Sequence, residues 1–191
     1  MIKFERVKKY KDDETIMIPR RSTENAAGYD FAAAEDITIQ PYYRLISLLS
    51  ASMPEGTKFT LSEMEKATRV YGARPALVST GIKCKLPKDK YLELSVRSST
   101  PLKYLIMMAN SQGIIDSDYY GNESNDGEIF FQLINFSPYP IEIRKGDIIG
   151  QGIIKNYYKT DDDEMTTKAV KRTGGFGSTD AAVSPLLMSA T

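Results

Sequence analysis

The stretch with the most evident chemistry is a pair of carboxylates between two glycines. Asp116 and Asp118 lie two residues apart, with Gly113 before them and Gly121 after them. At that spacing, side chains point to the same face of a strand but diverge in a turn, and the glycines suggest a hairpin with a close backbone approach. The pattern predicts either an acid–base site or a surface turn rich in Asp, and by itself it favours neither.

Two other segments contain residue types that bind anions. Residues 97–101 place one arginine and three hydroxyls at a predicted strand-to-helix junction, where backbone amides and the helix dipole favour a phosphate. The tail at 173–179 joins glycine-rich backbone and hydroxyls to the preceding Lys171 and Arg172, a set that suits a polyphosphate, and Phe176 is placed to stack on a base. The ordinary alternatives are a helix N-cap and a disordered C-terminus. Because all three segments occur in one chain, we favour the functional interpretation of each segment over its ordinary alternative.

Composition restricts the kinds of partner and chemistry. The 191 residues suggest one domain, and 25 Lys plus Arg against 25 Asp plus Glu predict no general attraction to nucleic acid or membranes. The absence of histidine excludes His-dependent nucleophiles and imidazole metal sites, so acid–base work falls to carboxylates. No segment approaches the roughly 18 apolar residues of a membrane span, and we expect a cytoplasmic protein.

The single cysteine, Cys84, excludes an intrachain disulfide and a thiolate metal cluster. Apolar residues alternate with lysines over residues 82–86, which is the period of a half-buried strand. This pattern predicts that Cys84 faces the core.

Short segments with alternating, β-branched or aromatic residues recur between turn signals along the chain. They are residues 36–40, 77–86, 91–96, 128–136, 141–144 and 148–158. Their spacing predicts an all-β chain, built as a β-sandwich or as a jelly-roll-like β-barrel. We place this domain at residues 1–160, followed at 161–191 by a linker and a flexible Gly-rich C-terminal arm.

One helix interrupts the strands. Thr60 and Glu63 form a capping box, Leu61 and Met64 lie on one helical face, and Gly72 is placed as a stop, which predicts a helix over residues 61–71. The helix belongs to an insertion of about residues 49–75. We interpret the insertion as packed against the outside of the barrel, with binding of an unknown protein partner as the alternative.

Five segments, in order, resemble the five motifs of the trimeric dUTPase family. They read AAGYDF at 26–31, VRSS at 96–99, NSQGIIDSDYYG at 110–121, GDIIGQ at 146–151 and GGFGST at 174–179. The resemblance implies a jelly-roll subunit and a homotrimer whose active sites each combine motifs from three chains. It also implies hydrolysis of dUTP to dUMP and pyrophosphate, which limits uracil in DNA and supplies dUMP.

The resemblance also implies roles for individual residues. Asp116 would be the base that deprotonates the water attacking the α-phosphorus. Tyr119 would pack under the deoxyribose and leave no room for a 2′-hydroxyl. The slot that reads the uracil would consist of Asn110 and the backbone of Gly113, Ile114 and Ile115. The phosphate contacts would come from Arg97, Ser98, Ser99 and Gln151.

The fifth motif and the metal complete the implied site. Phe176 would close over the base, and the other contacts of the arm would come from Arg172, Gly177, Ser178 and Thr179. Mg²⁺ would be held mainly by the triphosphate and water, with Asp30 reaching it only through water. Because Lys171, Arg172 and Thr173 replace the family's usual residues before the glycines, either Lys171 or Arg172 could meet the γ-phosphate.

The chain departs from the family motifs at two further places. Ile148 stands where the family usually has arginine, and residues 122–126 form an insertion after the third motif.

Two other functions are alternatives to dUTP hydrolysis. A dCTP deaminase shares the fold, but its third motif usually reads Asp-Pro-Gly-Phe, where this chain has residues 116–119, and it lacks the Gly-Gly-Phe-Gly arm. A regulatory dUTP sensor, non-catalytic or with a dual role, is the alternative from another functional class.

Overall fold

The computed structural model describes residues 1–163 and 174–175, in which strands predominate. The strands are β1 (Lys3–Arg6), β2 (Tyr29–Ala32), β3 (Ile37–Ile39), β4 (Ala76–Ser79), β5 (Ile82–Lys85), β6 (Lys90–Ser95), β7 (Ile106–Met108), β8 (Gly113–Ile115), β9 (Phe130–Asn135), β10 (Ile141–Ile143) and β11 (Ile148–Asn156). The helices are α1 (Tyr42–Ala51), α2 (Leu61–Val70) and α3 (Ser99–Tyr104), with 3₁₀ turns at Lys8–Tyr10 and Ser117–Tyr119. No helix in these described ranges has both the length and the hydropathy of a membrane span.

The strands pair antiparallel in four sheets. The largest sheet has the order β2-β11-β6-β8, and the next has the order β4-β9-β7. Two smaller sheets pair β1 with β5 and β3 with β10. The prediction of a mostly β, jelly-roll-like subunit is confirmed, although the described strands do not close into one continuous hydrogen-bonded barrel.

The core lies between the two larger sheets. Strand β9 buries alternate residues, Phe131, Leu133 and Asn135, because side chains on a strand point to opposite faces with a period of two. The ring of Phe131 meets that of Phe31 on β2, with centroids 5.8 Å apart, and Phe4 packs edge-on against Phe31. Burying side chains of this size stabilises the fold by roughly 1.5–3 kcal/mol each. These contacts fix the separation of the two sheets.

The segment at 77–86, predicted as one run of strand, forms two strands. Strand β4 pairs with β9, whereas β5 pairs with β1, so the chain changes sheet between them. Gly81 adopts φ +67°, a left-handed conformation that glycine tolerates better than other residues. The β-branched and apolar residues on both sides of the turn hid it, and Gly81 was its signal in the sequence.

The helix predicted near 61–71 is confirmed as α2, and both hydrogen bonds of its capping box form between Thr60 and Glu63. Sequence analysis missed α1, whose N-cap is Pro41 and therefore carries no side-chain capping signal. The apolar residues of α2 are largely exposed, Leu61 at 93% and Val70 at 76%. The insertion therefore buries little apolar surface against the described part of its own chain.

Cys84 is 1% exposed, which confirms its predicted core position, and burial raises the pKa of its thiol from 9.0 to about 12. We expect the folded protein at pH 8 to resist a thiol reagent such as DTNB, and one thiol per chain to react once urea unfolds it. Because the thiol ionises at a lower pH in the unfolded chain than in the folded one, the free energy of unfolding should also decline as the pH rises above about 9. Rapid stoichiometric labelling of the folded protein would contradict this placement.

Candidate functional site

A pocket of about 230 Å³ lies where the edges of the two larger sheets diverge. Strand β7 is the edge of one sheet and β8 is the edge of the other, and residues 109–112 connect them. We call this cavity the base pocket. Its lining residues are Asn110, Gly113, Ile114, Ile115, Tyr119, Phe130, Gln132 and Gly175. The structure thus brings together every residue that the sequence predicted for the uracil slot.

Strand β8 contributes its backbone to the base pocket. It pairs with β6 on one side, through Gly113 with Leu94 and Ile115 with Leu92, and with no described strand on the other. An edge strand presents N–H and C=O groups in a fixed plane, which suits hydrogen bonding to a flat ligand. A Cβ atom at Gly113 would lie 3.2 Å from the Leu94 Cβ, so a larger residue would push β8 away from β6.

Tyr119 forms one wall of the base pocket and is 6% exposed. Its hydroxyl donates to the carbonyl oxygen of Glu128 at 2.9 Å and accepts from the Asn125 Nδ2 at 2.7 Å. Gly175 lies against the ring, since a Cβ atom there would be 2.9 Å from the Tyr119 Cε2. The ring is therefore held by two hydrogen bonds and contacted by the first part of the Gly-rich tail.

Asp116 follows β8 directly and begins the 3₁₀ turn at Ser117–Tyr119. The strand ends at Ile115, so Asp116 and Asp118 lie in a turn and do not share a strand face. Asp116 lines a second cleft, of about 630 Å³, together with Lys88, Tyr157 and Lys159. An ionised carboxylate in an open cleft next to the base pocket can accept a proton from water.

The Arg97 cluster consists of Asp30, Arg97, Ser98 and Gln151. Strand β11 pairs Gln151 with Asp30 on β2 and with Ser95 at the end of β6, which places the three strands' polar residues side by side. The Arg97 Nε lies 3.5 Å from the Asp30 Oδ1, and Gln151 Nε2 donates to Ser95 Oγ at 3.4 Å.

The hydroxyl of Ser98 is available to a ligand in this cluster. Ser98 is exposed, and its side chain makes no capping hydrogen bond to α3. The predicted strand-to-helix junction is therefore present, with Ser99 as the first residue of α3. The guanidinium, hydroxyl and amide groups of the Arg97 cluster are all able to donate to phosphate oxygens.

The base pocket and the Arg97 cluster both belong to the largest sheet. Strand β8 lines the base pocket, Arg97 follows the neighbouring strand β6, and Gln151 and Asp30 lie on β11 and β2. The base pocket, the Asp116 cleft and the groove containing Arg97 are separate cavities in the described chain. None of these three cavities is lined by all the predicted groups.

The described residues contain no group of three or more Asp, Glu, Cys or His side chains placed to hold a metal ion. Asp30 is the predicted outer ligand, and its carboxylate already meets Arg97 and accepts a hydrogen bond from the Ser22 hydroxyl. This donor set fits Mg²⁺, which dehydrates reluctantly and binds to proteins largely through substrate phosphates.

Five predicted site residues lie outside the described residues. They are Arg172, Phe176, Gly177, Ser178 and Thr179, and Lys171 lies outside them as well. Conversely, Phe130 and Gln132 line the base pocket but were not predicted. Their signal was present, because a period of two on β9 places both opposite the buried face that carries Phe131.

Comparison with known proteins gives one consistent family. A family model for dUTPase matches residues 46–180. The deoxyuridine 5′-triphosphate nucleotidohydrolase of Lactococcus lactis subsp. lactis (strain IL1403) is 36% identical over 178 residues, which cover 93% of this chain and 97% of the relative. The family match therefore spans the base pocket, Asp116 and most of the Arg97 cluster.

Solved structures agree with the sequence comparison. The dUTPase from Streptococcus mutans is 30% identical and superposes with a TM-score of 0.63, covering 83% of this chain and 98% of that one. A mutant dUTPase from phage phi11 of S. aureus coordinates a structural Mg(II) ion; it has a TM-score of 0.56, covering 90% of this chain and 97% of that one. At 14% identity, the second likeness shows the fold alone.

Two glycines near the Arg97 cluster give a matched pair of variants. In Gly150→Ala the new Cβ would overlap the Phe131 ring and lie 2.7 Å from the Ser95 carbonyl oxygen, which should destabilise the protein by about 1–3 kcal/mol. In Gly28→Ala the Cβ would lie 2.5 Å from the Gln151 Oε1, a mobile side-chain end. We expect thermal denaturation to show a lower Tm only for Gly150→Ala, and titration calorimetry to show weaker triphosphate binding for Gly28→Ala. Equal Tm losses would contradict this difference.

Proposed function

Because the chain belongs to the dUTPase family, we propose that it hydrolyses dUTP to dUMP and pyrophosphate, with Asp116 as the base that activates water. The observation that carries this proposal is the direct succession of the base pocket and Asp116 along the chain. The backbone of β8 lines the pocket, and Asp116 is the next residue. A nucleotide with its base in the pocket therefore extends its sugar and phosphates toward that carboxylate. The reaction would limit uracil in DNA and supply dUMP.

Recognition of uracil is assigned to the fixed hydrogen-bonding groups of the base pocket. The backbone of Gly113, Ile114 and Ile115, with the amide of Asn110, forms a donor and acceptor pattern for the edge of the base. Cytosine presents an amino group where uracil presents a carbonyl, so a donor on the protein would face another donor. Sites that discriminate in this way reject the wrong ligand by roughly 10⁴-fold or more.

Selection of deoxyribose is assigned to the Tyr119 ring. In this proposal the ring packs under the sugar and occupies the space that a 2′-hydroxyl would need. The ring is suited to this role because it is buried and its hydroxyl is hydrogen-bonded twice. A wall that cannot move rejects UTP by steric repulsion. Such rejection can exceed the discrimination that a pocket obtains from a few apolar contacts alone.

Asp116 performs the proton transfer in this mechanism. Its carboxylate orients a water molecule and accepts its proton while the water oxygen bonds to the α-phosphorus. The bond between the α-phosphorus and the α,β-bridging oxygen breaks, and pyrophosphate leaves. General base catalysis contributes typically 10² to 10⁴ in rate, so positioning and charge stabilisation must supply the remainder.

The phosphates are assigned to the Arg97 cluster. Arg97, Ser98 and Gln151 donate hydrogen bonds to phosphate oxygens, and Ser99 adds a hydroxyl at the start of α3. Asp30 keeps Arg97 oriented and would touch a metal only through water. When bound, Mg²⁺ neutralises the triphosphate charge and aligns the phosphates.

The arm at 161–191 is assigned to closing the site. Phe176 would cover the base, while Gly177, Ser178, Thr179 and either Arg172 or Lys171 would contact the triphosphate. The position of Gly175 against the Tyr119 ring supports this assignment, since it brings the start of the motif to the base pocket. Closure of such a segment excludes bulk water from the reaction.

Sites shared within a homotrimer are supported by the separation of the functional groups. Arg97 lines a different cavity from the base pocket and from the Asp116 cleft. A cyclic assembly would bring the base pocket of one copy next to the Arg97 cluster of another without any change within the chain. The family resemblance implies three chains per site.

A second candidate function is regulatory, with dUTP binding controlling a protein contact at the helical insertion. The observation that favours it is the exposure of large apolar side chains on α1 and α2, which include Tyr43, Leu48, Leu61 and Val70. Where such side chains lie together, they mark interaction surfaces in many soluble proteins. This role is compatible with turnover, and the nucleotide assay below separates a sensor without catalysis from an enzyme.

The first test measures pyrophosphate release from dUTP, dCTP, dTTP and UTP in the presence of Mg²⁺. We expect turnover of dUTP alone. The variant Asp116→Asn should lose roughly 10²- to 10⁴-fold in kcat while still binding dUTP, because only the proton acceptor is removed. Glu123→Gln, which neutralises an exposed carboxylate in the following loop, is the matched control and should keep native turnover.

Each other outcome of this assay has a defined meaning. Binding of dUTP without turnover by the native protein would replace the enzyme with the sensor. Ammonia release from dCTP would identify a deaminase. Full activity of Asp116→Asn would be consistent with a hydrolase but would refute Asp116 as its base.

The shared site is tested by complementation between two inactive variants. Asp116→Asn disables the base-pocket side, and Arg97→Ala disables the phosphate side. Refolding the two variants together in equal amounts should restore about one quarter of native activity, since each site draws the two residues from independent chains. Refolding each variant alone is the control. No recovery in the mixture, or a monomer by light scattering at micromolar concentration, would refute the shared site.

A further inference from the structure

The loop at residues 122–126, an insertion relative to the third motif of the family, folds against Tyr119. The buried Asn122 donates from Nδ2 to the Tyr119 carbonyl oxygen at 2.9 Å. Asn125 donates from Nδ2 to the Tyr119 hydroxyl at 2.7 Å. The loop therefore forms hydrogen bonds to both the backbone and the side chain of Tyr119, which forms one wall of the base pocket.

The amide of Asn125 is itself held on its other side. Its Oδ1 accepts from Asn122 Nδ2 at 2.8 Å and from the Gly127 backbone N–H at 3.0 Å. These bonds orient the amide plane, so that the Nδ2 group can point only toward the Tyr119 hydroxyl. An oriented amide constrains its partner more than a freely rotating donor does.

The loop is anchored to a strand outside the site. Lys83 on β5 forms an ion pair with Asp126 at 2.8 Å, and both side chains are 13% exposed. The backbone N–H of Lys8 also donates to the Asp126 carboxylate at 2.8 Å. Partly buried, hydrogen-bonded pairs are screened less than exposed ones and hold geometry well. The position of Asn125 is thus fixed by β5 and the segment after β1.

A single hydrogen bond does not determine the plane of a phenol ring. The bond from Tyr119 to the Glu128 carbonyl fixes the position of the oxygen but constrains the tilt of the ring about it only weakly. The second bond, from Asn125, adds a constraint on that tilt to those of the packed surroundings. Because steric exclusion of a 2′-hydroxyl depends on ångström-scale ring position, ring tilt would weaken it.

We infer that Asn125 is a positioning residue for sugar selectivity: its amide fixes the Tyr119 ring and thereby sets the discrimination between dUTP and UTP. This inference rests on the proposed function, in which Tyr119 excludes the ribose 2′-hydroxyl. Asn125 does not touch the substrate in this scheme and acts only through Tyr119.

The test compares kcat/KM for dUTP with kcat/KM for UTP in the Asn125→Ala variant. We expect the ratio to fall roughly three- to tenfold, the factor that one hydrogen bond contributes. A general structural defect would lower both rate constants together and leave the ratio unchanged. Asn125→Ser keeps a side-chain acceptor near the Gly127 N–H but is too short to reach the Tyr119 hydroxyl, so it gives the same test if Asn125→Ala fails to fold.

Two further measurements test whether Asn125 affects the dUTP/UTP ratio through the Tyr119 hydroxyl. Ser124→Ala removes a hydroxyl that bonds to Asn122 in the same loop, and it should leave the ratio at its native value. Tyr119→Phe removes the hydroxyl itself, and the double variant Tyr119→Phe with Asn125→Ala should be no less selective than Tyr119→Phe. Such non-additivity is the signature of two residues that act through one interaction.

The outcomes separate this inference from the function on which it rests. A native ratio in the Asn125 variants, with a reduced ratio in Tyr119→Phe, would refute the role of Asn125 alone. Strictly additive effects would also refute it, since Asn125 would then act by another route. A native ratio in all variants would refute this inference but leave the steric role of the Tyr119 ring intact, while absence of dUTP turnover by the native protein would overturn the proposed function.

Discussion

The pairing of β8 with β6 is the interaction on which the candidate site depends. It holds Gly113–Ile115 at the edge of the largest sheet, while β7, only a few residues earlier, belongs to the other sheet. The divergence of β7 and β8 creates the base pocket, and the end of β8 places Asp116 at its exit. The backbone of a three-residue strand thus determines both the shape of the pocket and the position of the carboxylate beside it.

The core between the two sheets makes this arrangement rigid. Phe31 and Phe131 pack across the interface, and Gly150 on β11 leaves space for the Phe131 ring. The sheet that carries the base pocket on β8 also carries the Arg97 cluster on β2, on β11 and after β6, so rigidity holds the two sets in fixed relative positions. In the proposed function, the two sets line separate cavities, and assembly of several chains would bring them to one ligand.

Local patterns predicted local structure well, and tertiary features less well. The alternation around Cys84 and along β9, and the capping box of α2, all depend on neighbouring residues, and the structure has each of them. Helix α1 was missed because Pro41 gives no side-chain capping signal. The exposure of Leu61 was not predictable either, since periodicity identifies an apolar face but not what covers it. The site residues were predicted from motif resemblance, whereas the hydrogen-bond partners of Tyr119 emerged only from the fold.

The loop at 122–126, which the sequence predicts to be an insertion, shows how a polar loop beside the base pocket can be ordered. Lengthening a loop costs little closure entropy, about 0.6 kcal/mol for each doubling of its length, so the main cost is ordering its polar residues. Here Asn122 and Asn125 hydrogen-bond to one another, to the Gly127 amide and to Tyr119, and Asp126 pairs with Lys83. These residues therefore satisfy one another's hydrogen-bonding groups and add a second constraint on the Tyr119 wall of the pocket. Without this network the Tyr119 hydroxyl would lose the Asn125 donor, and the tilt of the ring would have one constraint fewer.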